Sequence, residues 1–305
     1  MRSTSVRRTG LPVVAMTLLA GATACGLGSG GGTPSDGEDD PAPARSAGKQ
    51  VGAMTALRSA ERSTDGADSA KVESTTALGT LMTLEADGAL GWEDGLTGTL
   101  TLTYTGGSVA DSMRQMGATS MEARYLPDAY YAHMGDTFAA QSGGKHWIRY
   151  PYDALEKLGG GSGAYLKDQM QNTTPNQSVK LLLASGDVRR VGEETVRGER
   201  ATHYTGTVEV ADLAAHGSGL TASQLADLKR QLEQAGVTTE RVDIWVNDRD
   251  LLVKKVEKGD TTNGPYSQTA YYSDYGVGVD VEEPPAGDTA DFTELLQQQG
   301  ADGTS

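Results

Sequence analysis

Between Thr97 and Thr105 the residues alternate strictly, with Leu100, Leu102 and Tyr104 on one side of the chain and Thr99, Thr101 and Thr103 on the other. Successive side chains of a strand point to opposite faces, so a period of two marks a strand with one apolar face that has to be covered. The pattern returns in Met121, Ala123 and Tyr125 against Glu122 and Arg124, and a turn at Pro127-Asp128 leads into a second strand over 129–134. Further strands are expected over 145–150, 187–194, 201–210, 241–246, 251–258 and 268–275. Within 201–210, Tyr204, Val208 and Val210 share a face, and 241–246 pairs with 251–258 across Asn247-Asp248-Arg249-Asp250. Helical spacing shows at Val51, Met54 and Leu57 in a short first helix, in 153–158 and 165–170 on either side of a glycine-rich break, and at Val179, Leu182 and Leu183. It is clearest at Leu225, Leu228 and Leu232 within 221–235, and it ends with Phe292, Leu295 and Leu296. Eight to ten antiparallel strands whose apolar faces need cover, with three or four helices to provide it, make an α+β fold. The expected architecture is a curved antiparallel sheet, a half-barrel, with helices on its concave face.

The first 24 residues read differently. Arg2, Arg7 and Arg8 precede an apolar run from Leu11 to Ala20, and small residues then lead to Cys25, the chain's one cysteine. A charged region, a short apolar run and a small-residue cleavage site form an export signal, and the run is too short to span a bilayer. Ala22-Thr23-Ala24-Cys25 resembles the bacterial lipobox, with Ala22 where that motif usually has leucine. The resemblance implies diacylglycerol attachment to the Cys25 sulfur and cleavage in front of it; the alternative is an ordinary secretory signal with an incidental cysteine. Arg7-Arg8 leaves the export route open between the general secretory and twin-arginine systems. Residues 25–50 hold almost no apolar side chain and are expected to form a flexible tether spanning on the order of 25–30 Å. The folded domain is expected over 51–299, with 300–305 as a disordered tail.

Charge narrows the partners. The chain carries 26 Lys and Arg against 41 Asp and Glu, a net −15, and loss of the three signal arginines leaves −18. Such a surface repels nucleic acid and anionic headgroups alike, so a hold on the cell membrane has to come from acyl chains. One cysteine excludes an internal disulfide and a multi-thiolate zinc site.

Three stretches resemble a known family: residues 144–149 (GKHWIR), residues 191–206 (VGEETVRGERATHYTG), and 242–246 (VDIWV) followed by 251–256 (LLVKKV). Their order and spacing are similar to the LppX/LprG-type lipoproteins of actinobacteria, relatives of the lipoprotein carrier LolA, over roughly 51–285. The resemblance implies a half-open barrel whose concave face holds an acyl chain of a lipid or lipoprotein outside the cytoplasmic membrane. Lining residues chosen from the apolar faces are Leu100, Leu102, Tyr104, Tyr204, Val208, Leu225, Leu228 and Ile244. The rival expectation is a non-enzymatic docking or envelope-sensing module with a filled core and a protein partner.

Catalytic motifs are missing from the sequence. No G-x-S-x-G elbow and no phosphate-binding G-x-x-x-x-G-K-[S/T] occurs. The four histidines lack metal-ligand spacing, although His133 and His203, both in strands, could converge in space. The expectation is therefore no enzyme, no metal and no cofactor. Trp147 and Trp245 are either packing residues or ligand platforms.

Overall fold

The computed structural model describes residues 42–115, 117–156, 174–212, 222–234 and 236–302. The expected signal sequence, Cys25 and most of the expected tether lie outside them. The described chain opens with a helix, α1 (Ala42–Asp65), followed by three strands, β1 (Ser69–Leu78), β2 (Met82–Gly91) and β3 (Thr97–Gly106). A helix α2 (Gly107–Gln115) leads to β4 (Ser120–Tyr125) and β5 (Ala129–His133). Next come α3 (Asp136–Ala139), β6 (Trp147–Pro151), α4 (Tyr152–Glu156) and α5 (Asn176–Ser185). The second half holds β7 (Arg189–Val196), β8 (Glu199–Glu209), α6 (Ala222–Gln234), β9 (Thr239–Asn247), β10 (Leu252–Thr261) and β11 (Gly264–Ser273). It closes with β12 (Thr289–Asp291) and α7 (Phe292–Asp302).

All twelve strands form one curved, unclosed sheet in the order β12-β6-β5-β4-β3-β2-β1-β11-β10-β9-β8-β7. Two meanders, β1 to β6 and β7 to β11, meet where β1 pairs with β11, so sequence neighbours are almost always neighbours in space. Every pairing is antiparallel except β12 on β6. The expected pair across Asn247–Asp250 is β9–β10, and the turn is held by the Asn247 carboxamide, whose Oδ1 accepts from the amides of Arg249 and Leu251.

The principal core lies on one face of this sheet. There Ala53, Leu57 and Ala60 of α1 and Val179, Leu182 and Leu183 of α5 meet Tyr204, Val208, Val242, Ile244 and Leu252 of the strands. Helix α5 rests directly on β8 at Gly206, where an added Cβ would stand 1.7 Å from the Asp187 carbonyl oxygen and 2.6 Å from a Leu182 methyl. Only a residue without a side chain permits that approach.

Several expectations need correction. The first helix starts at Ala42 and runs 24 residues, so it takes in the stretch 42–50 expected as tether. Helix α7 continues to Asp302, into the stretch expected as a tail. The sheet has more strands than eight to ten, because β1, β2 and β12 are not apparent from periodicity. The glycine-rich break and the helix expected over 165–170 lie outside the described residues.

Candidate functional site

Strand register assigns the inner face residue by residue, because directly paired residues share a face. One cross-strand row runs Ile244–Lys255–Ala270–Ser74–Ala86–Leu102–Met121, from β9 to β4. The next runs Val242–Glu257–Gln268–Thr76–Leu84–Tyr104. A third runs Val208–Glu240–Gly259–Tyr266–Leu78–Met82. Toward β8 these rows are packed solid, with Val208, Val242 and Ile244 at 0% exposure. From β11 to β4 many of their residues are half-buried, among them Gln268, Ser74, Thr76, Leu84, Ala86 and Met121, while Ala270 and Leu102 of the first row are buried. The curved inner face is thus only a partly covered trough across β11, β1 and β2. Leu84, Ala86 and Met121 pack against the core from its side without being covered by it.

At the opposite lengthwise end the rows close with tyrosines. Gly98 pairs with Tyr125, Tyr125 with Tyr130, and Tyr130 with Tyr150. An added Cβ at Gly98 would fall 2.3 Å from the Ala89 carbonyl and 2.8 Å from a Leu90 methyl, so Leu90 packs against bare backbone there. Tyr125 and Tyr130 meet edge to face at 5.2 Å, and Tyr150 lies 4.8 Å from the Phe292 ring of α7. Burial pushes the hydroxyls of Tyr125, Tyr130 and Tyr152 well up, and that of Tyr150 to about 12.

Of the residues chosen from sequence, Leu100, Leu102, Tyr204, Val208 and Ile244 are buried in the one principal core. Tyr104 and Leu225 are half-buried at its margin, and the Leu228 side chain lies outside the described residues. The choice by apolar alternation did not include Ser74, Thr76, Leu84, Ala86 and Gln268, which are half-buried on the same face. It also missed three buried ionisable residues. The Lys255 ammonium donates to Ser178 Oγ at 2.8 Å and to Glu257 Oε2 at 3.2 Å, beneath α5. Glu240 lies diagonally across from Glu257 on the same face. Burial, and then the negative charge of Glu257, push its carboxyl up to about 8 against the opposing pull of Lys255.

The outer face holds Trp147 and Trp245, each in a small cluster of its own. Trp245 packs with Val196, Ala201 and Val253, and Trp147 with Ala129 and Tyr131. The cation of Lys254 lies 4.0 Å from the Trp245 ring, and Arg197 lies 3.9 Å over Tyr271 while bridging to Glu73. Both tryptophans are packing residues on the side away from the trough. His133 and His203 do not converge: His133 in β5 contacts His146 and Trp147, and His203 lies in β8, near the other end of the sheet. His146 Nδ1 lies 2.6 Å from Asp288, which draws the imidazole pKa above its ordinary value and the Asp288 carboxyl below. Tyr272 is core, Tyr271 faces outward, and the Tyr275 hydroxyl donates to the Leu252 carbonyl.

Two clefts open on the exterior. One of about 320 Å³ is lined by Arg189, Arg190, Val191, Thr205, Thr207 and Arg241, and one of about 310 Å³ by Gln50, Val51, Met54 and Arg58. The arginines of the first are already matched by carboxylates: Arg189 by Asp187, Arg190 by Glu193 and Arg241 by Asp243. Among the described residues no three His, Cys, Asp or Glu side chains are arranged to hold a metal ion, and no helix is long and apolar enough to cross a membrane.

The chain is 54% identical to SCO4650 of Streptomyces coelicolor, a protein named as a lipoprotein, over 99% of its own length and 100% of that protein's. It is 57% identical to a 31.2 kDa Streptomyces griseus protein encoded between rplA and rplJ, covering 81% of this chain and 82% of the other. Among solved structures it resembles the Mycobacterium tuberculosis lipoprotein LppX, with a TM-score of 0.47 and 17% identity over 76% of this chain and 99% of that one. No family model matches.

Proposed function

The chain belongs to the Streptomyces lipoprotein family that includes SCO4650, and on that premise we propose that it is an envelope protein, held by acyl chains on Cys25, that carries or senses an apolar ligand in the trough of its sheet. The observation that carries this reading is the contrast along single cross-strand rows. Ile244 is fully buried at one end, whereas Ser74, Ala86 and Met121 are half-buried toward the other. Half-buried apolar side chains such as Leu84 and Met121 forgo part of the stabilisation that full burial brings. An acyl chain covers them without any catalytic group, and each buried methylene contributes about 0.8 kcal/mol. On this reading the protein sits on the outer side of the cell membrane.

The test is native mass spectrometry of the full chain purified from its own cells, with solvent extraction of whatever travels with it. Co-purification of an acyl-bearing molecule, reduced in the Leu84→Asn, Met121→Asn double variant, supports the proposal. A ligand-free protein that takes up no fatty acid or phospholipid overturns it and favours the rival reading, a docking module. The solid packing of the β8–β9 half of the inner face agrees with that rival.

A further inference from the structure

Successive residues of a regular strand point to opposite faces, yet Arg189, Arg190 and Val191 of β7 all line one exterior cleft. The cause is a bulge. The β7–β8 register shifts between Arg190 and Gly192, which leaves Val191 without a partner on β8, and Val191 is 56% exposed. β7 is the last strand of the sheet, and bulges on such edges re-aim side chains in this way. The cleft, of about 320 Å³, takes in Thr205 and Thr207 of β8 and Arg241 of β9. Arg189 pairs with Thr205 and Arg241 with Thr207, so an arginine stands on each side of the two hydroxyls. Three of the six lining residues are arginine and none is acidic, in a chain with 41 acidic residues against 26 Lys and Arg.

We propose that this cleft is an oxyanion site and that it takes a phosphate group, free or at the head of a lipid. The carboxylates matched to its arginines hold them loosely. Arg189 Nη2 stands 3.4 Å from Asp187, Arg190 Nη2 3.0 Å from Glu193 and Arg241 Nε 2.9 Å from Asp243, and all three side chains are at least half exposed. Exposed pairs of this kind add little stability, and a guanidinium has more N–H donors than such contacts use. Phosphate oxygens accept the remaining donors in pairs, and the Thr207 hydroxyl adds a neutral one. β7 and β9 lie two strand spacings apart, about 10 Å, a gap that one phosphate group bridges when arginines reach in from both sides. The chain's net negative charge is screened beyond about 8 Å at physiological salt, so the lining decides what enters. The site does not depend on the apolar ligand reading above.

Calorimetric titration of the full chain at fixed ionic strength tests the site and its source, with inorganic phosphate and dihexanoyl phosphatidylglycerol, the latter below its micelle-forming concentration, as the probes. Binding that depends on the arginines supports the site: tighter inorganic phosphate assigns a free phosphate, and tighter phosphatidylglycerol assigns a lipid head. The Arg189→Gln, Arg241→Gln double variant alters exposed side chains only. It is expected to keep the parent's melting temperature and to lose at least about tenfold in affinity for the tighter probe. Arg197→Gln, a charge change elsewhere on β7–β8, is expected to stay within about twofold of the parent. No binding of either probe up to about 10 mM, a double variant that binds like the parent, or an equal loss in Arg197→Gln overturns the site and leaves the trough reading untouched.

Discussion

The imidazole of His203 lies face to face with the indole of Trp245, ring centroids 4.1 Å apart and planes 11° from parallel. Glu194 ties the pair together, since its Oε1 lies 2.9 Å from His203 Nδ1 and its Oε2 accepts from Trp245 Nε1 at 2.9 Å. On its other side His203 Nε2 stands 2.8 Å from Asp243, which Arg241 also holds. Three strands of the outer face, β7, β8 and β9, are joined this way. Glu194→Ala leaves two nitrogens without their acceptor and is expected to cost about 1–2 kcal/mol in a urea unfolding curve, toward the lower figure because Glu194 is half-exposed. A variant as stable as the parent would mean that water replaces the carboxylate at no cost.

Stability should respond to pH from both sides. Hydrogen bonds from Trp245 to Glu194 and from His146 to Asp288 hold those carboxyls below their ordinary values. Their contribution is present above the ordinary carboxylate range and is lost as the pH falls through their lower folded values. Glu240 acts with the opposite sign. Its raised value means that stability is fully present below 4.5 and declines as the pH rises toward about 8. His146, raised by Asp288, adds a decline of the same sign above 6.5. Melting temperatures of the parent should therefore fall between about pH 5 and 8, and Glu240→Gln should remove most of that slope while leaving the part due to His146. An identical slope in both proteins would show that Glu240 ionises freely.

What the sequence disclosed and what it hid follow from one physical cause. Strands packed under helices announce themselves: Leu100, Leu102 and Tyr104 alternate with threonines, and Val242, Ile244 and Val246 line the face that α5 covers. β1 and β2 carry Ser74, Thr76 and Ala86 at their inward positions, so their period of two is not a period of apolarity. The partly covered strands are therefore the ones that periodicity could not reveal, and most residues chosen for apolar character lie in the core. Lys255 and Glu257 alternate correctly as inward residues of β10, and charge disguised them as surface. The parallel strand β12 is three residues long, too short to show any period.

Gly206 tests the seat of α5 on the sheet. Its missing side chain admits the Asp187 carbonyl and Leu182 together, and a backbone oxygen 1.7 Å from a new Cβ cannot be moved by a rotamer change. Gly206→Ala should cost about 3 kcal/mol or more, read as a large drop in melting temperature. A loss under about 0.5 kcal/mol would mean that α5 slides on β8.

Cys25 is expected to carry the anchor. In cells fed radiolabelled palmitate, the parent should take up label and partition into the detergent phase. Cys25→Ala should do neither, while its export still depends on Arg2, Arg7 and Arg8. With a net charge of −18 the mature chain is repelled by anionic lipid, so charge does not replace the lost anchor. Label incorporated into Cys25→Ala would place the anchor elsewhere.

The two ends of the inner face should also differ in their response to truncation. Ile244 is fully buried among α5 and its neighbouring strands, so Ile244→Ala opens a cavity and should cost about 2–5 kcal/mol. Leu84 lies half-buried in the same sheet and beside Thr76, so Leu84→Ala removes contacts that are already incomplete and should cost under about 1 kcal/mol. The sign of the trough's role appears when the ligand is added. Saturation with an acyl-chain probe should raise the parent's melting temperature by mass action and raise that of Leu84→Ala less, because the probe then packs against a smaller wall. Equal costs for the two truncations without ligand would mean that the trough is already filled by the protein itself, and the case for a bound apolar chain would fail with it.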